Sequence, residues 1–399
     1  MPHQLRKGDQ TATTTAEKID LMNQHFVNTG KETRQKLDEE FSHRPRKSFV
    51  SRRINRSIYL FPATNVELVQ VIRSLRCKAA TGLDGIDTRT LKSVTHDLAE
   101  TILPLMNNCL LNGHFPSTFK KTLVIPVYKG TGDRADCNNY RPISIISNLA
   151  KIFEKLLYER IMHFLVQEKF FSPSQFGFQL GSNTTTAVLH AIDRIKCGLD
   201  DGKHVTALFL DISKAFDCVD HTLLLDKLEK AGIRGKAHEL IVDYLFGREL
   251  RVRSDGVLSV ESFMTTGIPQ GSSLSTLLYL VYTNDLYDLA LQGYFQSFAD
   301  DTMAVYAADT PTQLQEMIQQ DTDLLADWFY SNHLSISTGK TRLMNFSLRT
   351  RPFQPQVVYN NTLLVSSSVY KYLGFHIDDR LTFSEHLEHI KARITCGEK

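Results

Sequence analysis

The sequence predicts an α+β fold in which helices accompany an antiparallel sheet, and three features point there. An apolar run over 205–211 has the length of a buried strand and ends on Asp211. A second strand-like stretch, 294–307, is interrupted by Asp300 and Asp301 as a hairpin turn would interrupt it. Amphipathic helical patterns surround both, with no internal repeat or long low-complexity tract.

Taken in order, residues 1 to about 60 are polar and basic, with a weakly amphipathic helix over 15–41. Pro62-Ala63-Thr64-Asn65 offers a cap for a helix over 66–76, and the glycine-rich 78–87 reads as a loop. Helix is expected over 91–111, closing near Gly113, then strand over 121–128 and a polar turn over 130–139. Ser147 or Asn148 caps an amphipathic helix with Ile152, Phe153, Leu156, Leu157, Ile161, Phe164 and Leu165 on one face. A loop over 177–183 leads into a helix running to about Cys197. After the 205–211 strand come helices 221–232 and 236–246, a hairpin over 248–265, a Gly-Ile-Pro-Gln-Gly loop and a helix over 274–291. Thr310-Pro311 opens a helix that buries Leu314, Met317, Leu324, Leu325 and Trp328. Strands near 341–347 and 369–377 complete the order.

A chain of 399 residues can build two or three subdomains with a real core. The formal net charge is only +2, so any affinity for nucleic acid has to come from local patches. One such patch is Arg44, Arg46, Lys47, Arg52, Arg53 and Arg56, readable as phosphate contacts or as a solvated linker. The six cysteines are scattered without a C-x-x-C, which argues for a reducing compartment and against a disulfide framework or structural zinc. His386-x-x-His389 with Cys396 is a partial metal pattern that an exposed helix explains as well. The N-terminus lacks the apolar core of a signal peptide, and the most apolar stretch, 274–282, is too short to span a bilayer.

The aspartates carry the chemistry. A buried anion at a strand end is costly without a partner. Two of them, Asp211 and Asp300 with Asp301 beside it, make sense if they share divalent cations. Two Mg²⁺ ions about 3.5–4 Å apart, bridged by carboxylates, are the machinery of nucleotidyl transfer. The Asp-Asp pair is weak by itself. Its weight comes from eight segments in order: KAATGLDGID, VIPVYKGTGDRADCNNYRPIS, SQFGFQLGSNTTTA, FLDISKAFDCVDH, GIPQGSSLSTLLYLVYTNDL, FADDT, NHLSISTGKTRLMNF and YKYLGF. Together, over 78–374, they resemble the reverse transcriptase domain of non-LTR (LINE-type, jockey-like) retrotransposons.

The resemblance implies a right-hand polymerase with an antiparallel palm sheet, copying an RNA template into DNA from a primer 3′-OH and dNTPs. On that plan 1–60 is a polar, partly flexible N-terminal segment, 61–200 the fingers with the first palm elements, 201–377 the palm, and 378–399 the start of a truncated thumb. It implies two Mg²⁺ ions, with Mn²⁺ as a substitute, on Asp211, Asp300 and Asp301. It places the Phe216 ring under the sugar of the incoming nucleotide, where it would exclude a 2′-OH; a core phenylalanine is the alternative. Gln270 and Gly271 would approach template and nucleotide, Lys129 and Arg141 the triphosphate, and Lys340 would protonate the leaving pyrophosphate.

Some positions depart from the family. Gln179-Leu180-Gly181-Ser182 lacks the usual basic residues, Ser275-Thr276 stand where Gly-Pro is usual, and Ser337 replaces an asparagine. These departures lead to a second expectation, a catalytically silent nucleic-acid-binding remnant, alongside the polymerase. An endonuclease domain is expected in a full-length element but not within this chain. The chain is expected to work inside the cell, in cytoplasm and nucleus, with no membrane partner.

Overall fold

The computed structural model describes residues 1–49, 52–77, 80–179, 181–347 and 353–395. Lys78 of the first matched segment, Leu180 of the non-basic loop and Cys396 of the partial metal pattern lie outside the described residues. The fold is α+β with antiparallel sheets, as the sequence predicts. The chain divides into two compact units. One comprises Met1–Gln35, Ser51–Phe171 and Phe216–Thr283; the other comprises Lys36–Val50, Ser172–Ala215 and Asn284–Lys399.

In the first unit, strand Lys121–Tyr128 pairs antiparallel with Tyr140–Ile146, setting Val127 opposite Arg141, and parallel with Glu249–Ser254. The expected 248–265 hairpin forms as that last strand with two short returns, Val257–Leu258 and Ser262–Phe263. Helix Asn148–Gln167 starts at Ser147, whose side chain caps it, and buries Ile152, Phe153, Leu156, Leu157, Ile161 and Leu165. Helix Asn65–Ser74 carries a capping box between Thr64 and Glu67.

Several elements differ from expectation. The 91–111 helix forms as Thr88–Ser93 and Thr95–Asn112, with Val94 between them at φ −115°, ψ 31°, outside helical geometry. The 274–291 helix stops at Thr283 and continues as a 3-10 turn, Asn284–Asp288. The first residues hold a strand pair, Leu5–Lys7 with Gln10–Ala12, which three-residue strands cannot announce by periodicity. Helix Thr15–Glu40 packs Ile19, Met22 and Phe26 against Leu5, Val124, Tyr140 and Val252. Its amphipathicity is weak because polar residues share the buried face: Asn23 is fully buried and donates to the Val260 carbonyl at 2.7 Å and to Ser262 Oγ at 2.9 Å.

The second unit is built on strand His204–Ser213. It lies between Asp301–Ala308 and Arg342–Phe346, both antiparallel to it, with Tyr294–Phe298 and Val365–Ser366 at the sheet's edges. Val205, Ala207 and Phe209 project to one face, where helix Thr184–Asp200 covers them with Val188, Ala191 and Ile195. Helix Pro311–Ser331 buries Leu314, Ile318, Leu325, Trp328 and Phe329. Burial on both faces explains why 205–210, with Thr206 its one polar residue, reads as a nearly continuous apolar run rather than an alternating one. The expected 369–377 strand forms as a separate hairpin, Val369–Tyr372 with Phe375–Asp378.

The basic patch expected at 44–56 divides. Arg44 pairs with Asp327 at 3.1 Å, Lys47 pairs with the same carboxylate, and Arg46 pairs with Asp38 while lying 4.9 Å over the Tyr330 ring. Those three cations are held by ion pairs inside the second unit; Asp327 lies 283 residues from Arg44 and 280 from Lys47, whereas Asp38 is only 8 residues from Arg46. Arg52, Arg53 and Arg56 belong to the first unit and are exposed.

Candidate active site

The site forms where the central strand of the second unit emerges from its helical cover. Cross-strand register sets Asp301 directly opposite Asp211. Both follow the parity of Phe209 and Met303, so both carboxylates leave the same face of the sheet. Asp301 also pairs with Phe298, closing a two-residue turn of Ala299 and Asp300. Asp300 therefore stands at the turn, while Asp301 begins the returning strand. Ala299 has φ +57°, the left-handed region that a residue with a Cβ adopts only under constraint.

The constraint comes from segment 174–177. Buried Gln175 accepts with Oε1 from the N–H of Ala299 at 3.1 Å and from that of Gly177 at 2.8 Å. The Phe176 N–H donates to the Ser297 carbonyl at 2.8 Å, and the Ser297 N–H to the Ser174 carbonyl at 3.0 Å. Gly177 comes so close to the turn that an added Cβ would fall on the backbone N of Ala299. Gln175 and Gly177 lie in the SQFGF of a matched segment, but only the folded contact shows what they hold.

The backbone of Asp211 is fixed on both sides. Its carbonyl accepts from the Ser337 N–H at 2.8 Å and its N–H donates to the buried Thr341 Oγ1 at 3.3 Å. The Ser337 contact uses main chain only, so a serine in place of asparagine leaves it intact. Lys340, on the same turn, brings Nζ to 3.7 Å from Asp211 Oδ1 with its side chain 72% exposed, an ion pair open to solvent.

Desolvation raises the pKa of Asp301, and the negative charges of Asp300 and Asp211 raise it further, to about 6. Asp301 is exposed by residue area, so the desolvation is that of a carboxyl end crowded among like groups, not of a buried side chain. Excess negative charge at a sheet end suits a divalent cation, which these carboxylates fit by donor type. Among the described residues, no group of three or more acidic, histidine or cysteine side chains closes round a metal ion by itself. Remaining ligands would have to be water or substrate oxygens, as is usual where Mg²⁺ sits on one or two carboxylates and a phosphate. His386 and His389 lie on helix Ser384–Thr395 and form no such group either.

The other candidate residues belong to the first unit. The half-buried Phe216 ring stacks on Tyr279, centroids 4.7 Å apart and planes 17° from parallel. Its carbonyl accepts from the Ile268 N–H at 3.0 Å, which ties the Gly-Ile-Pro-Gln-Gly loop to it. Gly267 has φ +79° and packs against the Asp217 backbone, where a Cβ would meet the carbonyl oxygen at 2.8 Å. Gln270 donates through Nε2 to Asp217 Oδ1 at 2.9 Å, and its carbonyl accepts from the Ser144 N–H at 2.9 Å. Gly271, φ +116°, lies against the Ser144 carbonyl. Arg141 is exposed on the strand that ends beyond Ser144, and Lys129 is exposed just past the paired strand, its Nζ donating to the Asn138 carbonyl at 2.6 Å. The structure thus gathers Phe216, Gln270 and Gly271 on one tied loop, and Asp211, Asp300, Asp301 and Lys340 on one sheet end.

Behind the loop lies a buried polar contact between residues 118 apart, which no local sequence pattern announces. Ser272 donates to the fully buried Glu154 at 2.6 Å and meets Tyr244 Oη at 2.9 Å. Burial raises the pKa of Glu154 despite the nearby Arg248.

Among the described residues, no helix is long and apolar enough to cross a membrane. A family profile described as reverse transcriptase (RNA-dependent DNA polymerase) matches residues 127–377, which contain both groups of candidate residues. The chain is 30% identical over 340 residues to the probable RNA-directed DNA polymerase from transposon BS of Drosophila melanogaster, an alignment covering 83% of this chain and 37% of that protein. It is 30% identical over 345 residues to the RNA-directed DNA polymerase from mobile element jockey of Drosophila funebris, covering 84% and 37%. A solved apo telomerase from Candida Tropicalis, truncated from its C-terminal domain, aligns at a TM-score of 0.45 and 12% identity over 67% of this chain and 54% of that one, too slight a likeness to add to the fold. The chain thus spans 37% of the length of these curated relatives. With the profile covering more than half its residues, the chain belongs to the reverse transcriptase (RNA-dependent DNA polymerase) family.

Proposed function

We propose that the chain forms the polymerase core of a LINE-type retrotransposon protein, extending a DNA primer on an RNA template. The observation that carries the reading is Asp301 facing Asp211 across the sheet with Asp300 in the adjoining turn, inside the segment that the family profile matches. On this reading the sheet of the second unit is the palm, the 121–146 hairpin belongs to the fingers, and residues from 378 begin the thumb.

Asp211, Asp300 and Asp301 would hold two divalent cations, Mg²⁺ with Mn²⁺ as a substitute, which would supply Lewis-acid activation of the primer 3′-OH and charge neutralisation at the leaving pyrophosphate. The protein's own groups do the rest. The fixed main chain of Asp211 aims its carboxylate. Lys340, within reach of Asp211 and exposed, donates a proton to pyrophosphate. Arg141 and Lys129 take the triphosphate, Arg as a planar fork. Gln270, oriented by Asp217, and Gly271 line the nucleotide, and Phe216, fixed by Tyr279, stands under its sugar. A divalent metal as cofactor is general to the family; the assignment to Mg²⁺ and the residue roles are this proposal.

The test is primer extension on an RNA template with Mg²⁺. Incorporation of dNTPs supports the reading. If wild type extends nothing on RNA or DNA templates, the chain keeps the fold without the chemistry and the remnant reading replaces this one. Phe216→Ala supplies a sharper outcome in the same assay. Removing the ring opens space under the sugar, so ribonucleotide incorporation should rise relative to deoxyribonucleotide by about tenfold or more, since each 1.4 kcal/mol of steric discrimination is about a decade. Unchanged sugar choice would leave Phe216 as a core residue only.

A further inference from the structure

The first unit carries a second surface whose chemistry the catalytic reading does not use. The segment 52–62 holds no helix or strand, bends at Asn55–Arg56 and is tied down at several points. The Ile54 N–H donates to the Lys230 carbonyl at 2.8 Å and the Ile58 N–H to the Gly232 carbonyl at 2.9 Å. Arg234 donates to the carbonyls of Ile54 and Arg56, and Arg52 to that of Lys169. Arg160 grips the Phe61 carbonyl while forming a bidentate pair with Glu67 at 2.8 Å. A segment so held could turn its large side chains inward. Instead Tyr59 and Phe61 are 67% and 66% exposed, their rings edge to face with centroids 4.6 Å apart. They border a groove of about 550 Å³ whose other walls include Arg56, His163 and Gln167.

Adjacent exposed rings on a fixed backbone are a stacking surface, and a patch of this kind marks an interaction site. The charge nearby says with what. Arg52, Arg53, Arg56, Arg160 and Arg234 stand against Glu67 and Glu168. Arg56 has 82% of its side chain exposed and makes only a 3.4 Å contact with Glu168. Cations beside aromatic faces suit a phosphodiester strand with unstacked bases, whereas a duplex hides its base faces and an apolar peptide gains nothing from guanidinium groups. We infer that the Tyr59–Phe61 groove binds single-stranded RNA, the bases stacking on the two rings, Arg56 and Arg53 meeting phosphates, and His163 and Gln167 meeting base edges. The choice of RNA rests on the proposed RNA-copying function; the groove would hold strand lying outside the primer–template duplex.

The test uses a fluorescein-labelled 15-nucleotide single-stranded RNA of mixed sequence, its affinity read by anisotropy at fixed salt, with the matching DNA as a second arm. Tyr59→Ala combined with Phe61→Ala should weaken RNA binding by about tenfold or more, and Arg56→Glu should weaken it and flatten its salt dependence. Tyr59→Trp should retain affinity. Its indole should be quenched on adding RNA, a clean signal because the single native tryptophan, Trp328, is fully buried. Unchanged affinity in the double variant, or an unquenched indole, overturns the inference. Equal effects with the DNA strand overturn the commitment to RNA, and a variant-sensitive dimer in sedimentation assigns the groove to a second copy instead. Extension of a pre-annealed primer–template, measured in parallel, separates this outcome from the polymerase reading: loss of extension with groove binding intact sinks only the latter.

Discussion

Asp211→Asn, Asp300→Asn and Asp301→Asn are each expected to lower nucleotide incorporation by about 10³-fold or more, because each removes a charged ligand from a metal pair worth several kcal/mol in the transition state. Asp301→Asn should show a second, opposite effect. Desolvation, together with the like charges of Asp300 and Asp211, holds the Asp301 carboxyl up at about 6, against an ordinary value of 3.8. A carboxyl raised by folding contributes stability that is present below about pH 4 and lost as pH rises through about 6. Metal-free protein at neutral pH therefore bears the repulsion, and the amide variant does not, so its thermal midpoint should rise. The gain will be modest, since Asp301 is exposed by area and solvent screens the charges. Mg²⁺ at pH 7.5 should raise the wild-type midpoint and leave that of Asp301→Asn nearly unchanged. If Mg²⁺ shifts neither protein and the asparagine variants copy RNA normally, the carboxylates are not the metal site.

That pairing of lost activity with gained stability is what a functional site costs, and it shows which parts of the fold were legible beforehand. The Asn148–Gln167 helix announces itself because burial repeats with the helical period, and the 205–211 strand and the 294–307 hairpin because short runs buried on both faces have the length of strands. Asp211 and Asp301 stand out because an anion at the end of an apolar run needs an explanation. The weak points were those where burial is polar or the contact is distant. Helix Thr15–Glu40 hides Asn23 and Thr29 among its apolar positions, which blurs its periodicity. Arg44, Arg46 and Lys47 look like a phosphate patch until Asp38 and Asp327 are folded against them. Glu154 and Ser272 are 118 residues apart and carry no local pattern at all.

Gln175 and Gly177 are the clearest example of a role that only tertiary contact reveals, and they carry the last prediction. The turn bearing Asp300 depends on Ala299 staying at φ +57°, a conformation its own Cβ disfavours. Gln175 holds it by accepting from Ala299 and Gly177 together. Gln175→Ala would leave two buried N–H groups without that acceptor, at about 1–3 kcal/mol each. Gly177→Ala would drive a methyl group onto the backbone N of Ala299, which cannot yield without moving the turn. A shift of about 1 Å at a reacting centre can cost about 10²-fold in rate, and incorporation by both variants should fall by roughly that factor. Gln175→Glu, which keeps an acceptor at the same place, should recover a large part of it. The metal-induced rise in thermal midpoint separates a displaced carboxylate from general unfolding: it should shrink in Gln175→Ala even at temperatures where the variant is fully folded by circular dichroism. Should Gly177→Ala retain wild-type incorporation and an undiminished Mg²⁺ response, the turn does not need this clamp and the strain at Ala299 is borne by the hairpin alone.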